Sequence, residues 1–331
     1  MFHAIAALLD TFVSDLQTWL YVSVVQPLMY RFNLMGYDED TYDALYWVII
    51  GALQVVVMYV LLRPLEALRP IEPWKNRREA RVDVIYTLIA KLGIFTLFFF
   101  FVMQPFFDAF QGWLRLKGVV NFNLDYLWPG VTSQPIVSFA IYLIVIDFAG
   151  YWYHRWQHRF GVWWELHAVH HSQRQMSLWT DDRNHLLDDL IQACFFAVIA
   201  LVIGVPPSQF VVLTAVSNFL QSVQHTNARL PFGWLGERLL VSPAFHRRHH
   251  AVGYGHEGTA YGCNFGVLFP WWDMVFRTAS WSRTLEPTGI REQYQGVSYG
   301  DGFWSQHALA FVRIARRLTR RKPRAVSTET V

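Results

Sequence analysis

The stretch Leu190–Gln224, LIQACFFAVIALVIGVPPSQFVVLTAVSNFLQSVQ, decides the architecture. It runs thirty-five residues without a charged side chain, broken near its middle by Gly204-Val205-Pro206-Pro207. A bilayer core asks for about 20 apolar residues per helix. Proline lacks a backbone donor and clashes with the preceding turn, so the Pro pair ends one helix and opens another. The segment therefore reads as a membrane hairpin of two short helices, which either crosses the bilayer or dips into it.

Other segments share this character. Ala44 to Leu62 is nineteen residues without a charge, Val84 to Phe107 carries only Lys91, and Val131 to Ile146 is uncharged up to Asp147. Helices are expected near 44–62, 84–107 and 131–158, ahead of the hairpin. The first thirty residues are apolar but interrupted by Asp10, Asp15, Gln17 and Gln26, so they either span or lie in the interface. They lack a basic leader and a small-residue cleavage site, unlike a signal peptide.

Composition agrees. Charged residues make up 16% of the 331 and hydrophobic residues 53%, with 26 Phe, 15 Trp and 15 Tyr. Soluble domains carry about a quarter charged residues, so a soluble globule is excluded, as are disorder, collagen and coiled coil. Two cysteines, Cys194 and Cys263, cannot build a disulfide framework or a Cys-rich zinc site. The expected fold is an all-α, polytopic integral membrane helical bundle of about four to five membrane segments. N-terminal membrane segments fill 1–130, a catalytic region 131–280 and a basic cytoplasmic tail 281–331.

Basic residues set the sidedness. Arg63, Arg69, Lys75, Arg77, Arg78 and Arg81 follow the 44–62 helix, and Arg313, Arg316, Arg317, Arg320, Arg321, Lys322 and Arg324 fill the tail. Both belong on the cytoplasmic side of the inner membrane. The tail reads as touching anionic lipid, and nucleic acid is not an expected partner.

Eleven of the thirteen histidines lie between 154 and 256. They form His154-Arg-Trp-Gln-His158, His167-Ala-Val-His170-His171 and His246-Arg-Arg-His249-His250, with His225 alone. Helical residues three and four apart are neighbours, so each group can offer two or three imidazoles to a metal. Counting crossings puts all nine at one depth on one side of the membrane. Nine exceed the needs of one four-coordinate zinc and suit two metals; imidazole accepts Zn, Cu, Fe or Ni.

This order of histidine groups between hydrophobic helices resembles the fatty acid hydroxylase, or sterol desaturase, superfamily. The similarity runs from about Asp147 to Thr278 and includes Ser242-Pro243-Ala-Phe-His246, Asn264-Phe265-Gly266 and Trp272-Asp273. His225-Thr-Asn-Ala-Arg-Leu-Pro is similar to bacterial members and to the alkylglycerol monooxygenase branch. The resemblance implies two iron ions forming a non-haem centre that activates O2 and oxidises a lipid C–H bond. It assigns the metal to His154, His158, His167, His170, His171, His246, His249 and His250, with His225 as a ninth. Several members have a histidine pair where this chain has Gln221 and His225, and Phe265 stands where a Tyr is common.

Hydroxylation is the expected outcome. A desaturase or demethylating oxidase on the same site is the alternative, and a histidine-lined metal transporter is the reading from another class. Electrons must come from outside, from a ferredoxin, a cytochrome or a reduced pterin, because the chain shows no dinucleotide-binding, iron–sulfur or haem motif. Asp147 and Tyr151 share a helix face with His154 and His158. They are the candidate catalytic side chains, Asp147 being expected to orient a ligand imidazole through its second nitrogen. Glu165 and Asp273 are weaker supporting candidates. His185 is weighed equally as ligand or surface residue, His256 is read as a loop residue, and His3 and His307 are set aside.

Overall fold

The computed structural model describes residues 2–74, 77–92, 105–106, 108–118, 124, 127–258 and 260–319. Among these, regular structure is helical. Backbone pairing of the extended kind is confined to two isolated antiparallel bridges, Pro70 with Ala228 and Ala251 with Thr288.

Helix α1 (Phe2–Leu20) passes through a π turn into α2 (Gln26–Arg31). It packs on α3 (Asp38–Leu68), where Gln17 donates to the Tyr42 carbonyl and Tyr21 donates to Asp38. Asp38, Glu39 and Asp40 open α3 and face its positive dipole end. α4 (Arg77–Lys91) holds the start of the expected 84–107 span. Residues 93–104 and 107 lie outside the described residues, as do Lys75 and the tail from Arg320 onward.

The central helices are α5 (Pro135–Arg159), α6 (Gly161–His171), α7 (Leu186–Ile203) and α8 (Pro207–His225). The expected hairpin is α7 and α8. Gly204 ends α7 at φ 70°, a left-handed conformation that glycine adopts without a Cβ penalty. Around it Gly204 N–H bonds Leu201 O and Val205 N–H bonds Ala200 O, closing a Schellman cap before Pro206 and Pro207. Among the described residues, three helices are long and apolar enough to cross a membrane: Met35–Leu68, Pro135–Arg159 and Leu186–Ile203. α8 is not among them, because Thr214, Ser217, Asn218, Gln221 and Ser222 dilute its apolar surface.

Four short helices follow, α9 (Gly233–Leu239), α10 (Pro243–His249), α11 (Trp271–Val275) and α12 (Arg291–Tyr294), and then the longer α13 (Phe303–Thr319). The start of the basic tail is therefore a docked helix. α13 packs on α6, with Arg313 donating to Glu165 at 3.1 Å and buried His307 receiving the Leu186 N–H at 3.1 Å. Two buried carboxylates tie the layers together. Glu66 accepts Leu178 N–H at 2.8 Å and Asn227 N–H at 2.9 Å; Asp83 accepts Arg183 at 2.6 Å.

Candidate metal centre

Three helix ends and one short helix deliver the histidines. His154 and His158 end α5, His167, His170 and His171 end α6, and His225 is the last residue of α8. α10 carries His246 and His249, with His250 as its C-cap. Ser242 accepts the Phe245 N–H at 3.2 Å and Pro243 occupies the first turn, so seven residues suffice to hold this helix in place.

All nine imidazoles converge, in two groups. His154, His158, His167, His171 and His249 form one, and His170, His225, His246 and His250 the other; within each, the potential ligand atoms lie within 4.8 Å of one another. The rings of His171 and His250, 4.5 Å apart, join the groups. The division corrects the expectation that each HxxHH presents all its histidines together. A residue four along a helix turns by about 40° from the first, but one three along turns by about 60° the other way. The pairs 154/158, 167/171 and 246/250 stay together, while His170 and His249 cross to the opposite group. Each HH doublet therefore feeds both sites.

The donors suit metal ions. Among the described residues, His158, His167 and His171 leave both ring nitrogens buried without a hydrogen-bond partner, and His249 leaves Nε2. Buried polar atoms are nearly always paired, so such a concentration marks a binding site. In the second group Nε2 of His225 stands 3.2 Å from that of His170 and 2.9 Å from that of His246, which is 3.1 Å from that of His250. These are the separations expected of nitrogens around one ion with bonds of about 2.0–2.1 Å. Burial, reinforced by neighbouring imidazoles, drives His170, His171, His246, His249 and His250 well below the ordinary histidine range. Each is held neutral, the form that ligates.

Outer partners fix the tautomers. His154 Nδ1 donates to Phe265 O at 3.0 Å, His249 Nδ1 to Cys263 O at 2.7 Å and His225 Nδ1 to Gln221 O at 2.8 Å. A neutral ring that donates from Nδ1 leaves Nε2 free to bind a metal. Asp181 Oδ1 lies 3.4 Å from His225 Nδ1, and Asp188 Oδ2 lies 3.4 Å from His167 Nδ1 without hydrogen-bond alignment. Burial raises the Asp181 carboxyl. Sequence reasoning missed Asp181 and Asp188, although the run Asp181-Asp182…Asp188-Asp189 beside an apolar helix is a visible signal.

Asp147 has a different role from the one expected. Its carboxylate accepts Leu268 N–H at 2.7 Å, Phe269 N–H at 3.3 Å and the Trp272 indole at 2.8 Å. These donors occupy it, so it anchors the 264–276 loop and contacts no imidazole. Tyr151 meets Thr278 Oγ1 at 3.0 Å and Arg155 at 3.0 Å, again away from the rings. Asp273 accepts Phe265 and Gly266 N–H and the Thr278 hydroxyl; burial pushes it up to about 6. Asp273 therefore holds the loop whose carbonyls orient His154 and His249. Asn264 sits at φ 60° and Gly266 leaves no room for a Cβ, which explains the Asn-Phe-Gly run. Glu165 pairs with Arg313 and Arg317. His185 is no member of either group: it accepts the Leu187 N–H at 3.1 Å and caps α7. His256 is half-buried against Trp164, with ring centroids 5.1 Å apart, and also stands outside both groups.

Residues 139–278 match the fatty acid hydroxylase family model. The chain is 26% identical over 277 residues to "Ornithine lipid hydroxylase OlsE" of Rhizobium tropici, covering 82% of this chain and 78% of that protein. It is 33% identical over 141 residues to the alkylglycerol monooxygenase of Caenorhabditis elegans, covering 43% of this chain but only 26% of that one. It is 24% identical over 200 residues to "Delta(7)-sterol 5(6)-desaturase ERG3B" of Gibberella zeae, covering 60% and 55% of the two chains. No solved structure matches.

Proposed function

We propose that this chain, whose residues 139–278 belong to the fatty acid hydroxylase family, is a multi-pass inner-membrane oxygenase that hydroxylates a C–H bond of a lipid. The observation that carries the reading is the convergence of nine imidazoles into groups of five and four. An unactivated C–H bond is beyond acid–base chemistry, and two iron ions held by these groups would supply the O2 activation that it demands. The protein's own contribution is positioning. His154, His225 and His249 are locked in the ligating tautomer by backbone carbonyls, and Phe265, fully buried, covers the rings of His154, His158 and His249. Electrons come from a separate reductant: a ferredoxin, a cytochrome or a reduced pterin. The excess of basic residues in the loop after α3 and in the tail supports a cytoplasmic side for the centre.

Comparative lipidomics of cells with and without the protein, paired with iron quantification on the purified chain, tests this. Expected are a lipid carrying one added oxygen and about two irons per chain. A product lacking two hydrogens instead would assign desaturation, the reading that the sterol desaturase relative keeps open. A metal-loaded chain with no lipid product in any background would defeat both.

A further inference from the structure

A second built feature lies on the other side of α10. Ala244, Arg247 and Arg248 of α10, with Ala251 just beyond its end, line a cavity of about 390 Å³, within the range of small-molecule sites. Arg229 and Arg283 also line it, Arg283 paired with Glu237 at 3.3 Å and Glu286 the other acidic residue of the lining. Arg247 is 7% exposed. Its Nη2 donates to Glu72 at 2.6 Å, while Nε and Nη1 are buried without a partner. Arg248 stacks over Tyr254, and its Nη1 is also without a hydrogen bond, 3.7 Å from Glu286. Guanidinium charge along a cavity wall, with donors beneath it that the protein leaves unspent, favours an anion there.

The cavity also sits where α3 leaves its apolar stretch. Ile71 lines it three residues after α3 ends, Pro70 bridges to Ala228, and Arg229 N–H bonds Arg69 O at 2.8 Å. Ile71, Leu230, Pro231 and Leu285 give it an apolar wall beside the arginines. A free inorganic anion has no use for that wall, whereas a headgroup continuing into glycerol and acyl chains does. We propose that this cavity binds the phosphate or carboxylate of an anionic lipid headgroup from the adjacent leaflet. The bound headgroup braces α10, whose opposite face carries His246 and His249.

The test uses the full-length, metal-loaded protein in phosphatidylcholine vesicles with and without phosphatidylglycerol, with inorganic phosphate as a separate arm. Lipid retained per chain is counted by native mass spectrometry and metal content is measured alongside. Phosphatidylglycerol should be retained about tenfold over phosphatidylcholine, a preference lost in Arg247→Gln and partly kept in Arg247→Lys. The rim variant Arg229→Gln/Arg283→Gln, away from the imidazoles, should reduce retention several-fold at unchanged metal content. Equal retention of the two lipids, or a rim variant and Arg247→Gln that both bind like the parent, overturns the proposal. Phosphate competing as well as the lipid, with no vesicle preference, overturns the lipid assignment. Because no turnover is measured, failure of the oxygenase reading leaves this result standing.

Discussion

His225 shows what one imidazole asks of its surroundings. Its Nδ1 proton is taken by the Gln221 carbonyl, one helical turn back, and the Asp181 carboxylate stands 3.4 Å from the same nitrogen. Nε2 is left facing His170 and His246. Asp188 Oδ2 lies 3.4 Å from His167 Nδ1 without bonding it, its oxygens being taken by Gln157, Trp163 and Tyr153. A carboxylate placed like Asp181 raises ligand basicity and holds the ring, and its loss typically weakens metal binding 10- to 100-fold. Asp181→Asn should do so in a chelator competition; metal retention equal to the parent would reduce Asp181 to a packing residue. Asp147→Asn should behave differently. An amide in that position sets a donor against the Leu268, Phe269 or Trp272 donors, costing about 1–3 kcal/mol of stability. Thermal unfolding in detergent checks the loss, and the metal affinity of the folded fraction should stay near the parent's.

At the scale of elements, the 260–280 loop controls the five-histidine group without supplying more than two carbonyls to it. Asn264 pins it through Phe245 O at 2.8 Å and Ser280 O at 3.0 Å, and Asp273 fixes the turn at Gly266. A Cβ at Gly266 would stand 2.6 Å from Phe269 O and 2.9 Å from Asp273 Oδ2. Gly266→Ala should therefore displace Phe265 O from His154 and leave the other group of four intact. Native mass spectrometry should show about one ion per chain instead of about two; two retained ions would mean that the loop merely covers the site. The sequence made part of this visible. Charge-free runs mark α3, α5 and the hairpin, and 3.6-residue spacing groups the histidines, because both are local periodicities. The outer partners of the rings come from segments up to 111 residues away, as Phe265 is from His154, and no local period records such contacts. The docking of α13 through His307 and Arg313 was hidden for the same reason: a helix with a basic face reads as solvated until its apolar side finds α6. The two-way split of each HxxHH could have been read from helix geometry alone, since positions i+3 and i+4 diverge by about 100°.

At the scale of the molecule, the centre makes the fold depend on pH. Burial of clustered imidazoles is tolerable only while they are neutral, since each added proton would be desolvated and repelled by its neighbours. His170, His171, His246, His249 and His250 all lie well below the ordinary histidine range in the folded chain. Unfolded imidazoles titrate near about 6.5. Below that pH the unfolded chain takes up protons that the folded chain refuses, so stability is full above about pH 6.5 and falls as the pH drops toward the folded values. Bound metal opposes the fall, because ions ligate the neutral form and favour the folded state by mass action. Metal-free protein should therefore lose thermal stability steeply between about pH 7 and 5, while the loaded protein holds until protons displace its ions. Thermal melts of both forms across that range, with released metal assayed in parallel, provide the check. A metal-free melt that is flat across it would mean that the rings are solvated, and the picture of two dry histidine cages would have to be given up.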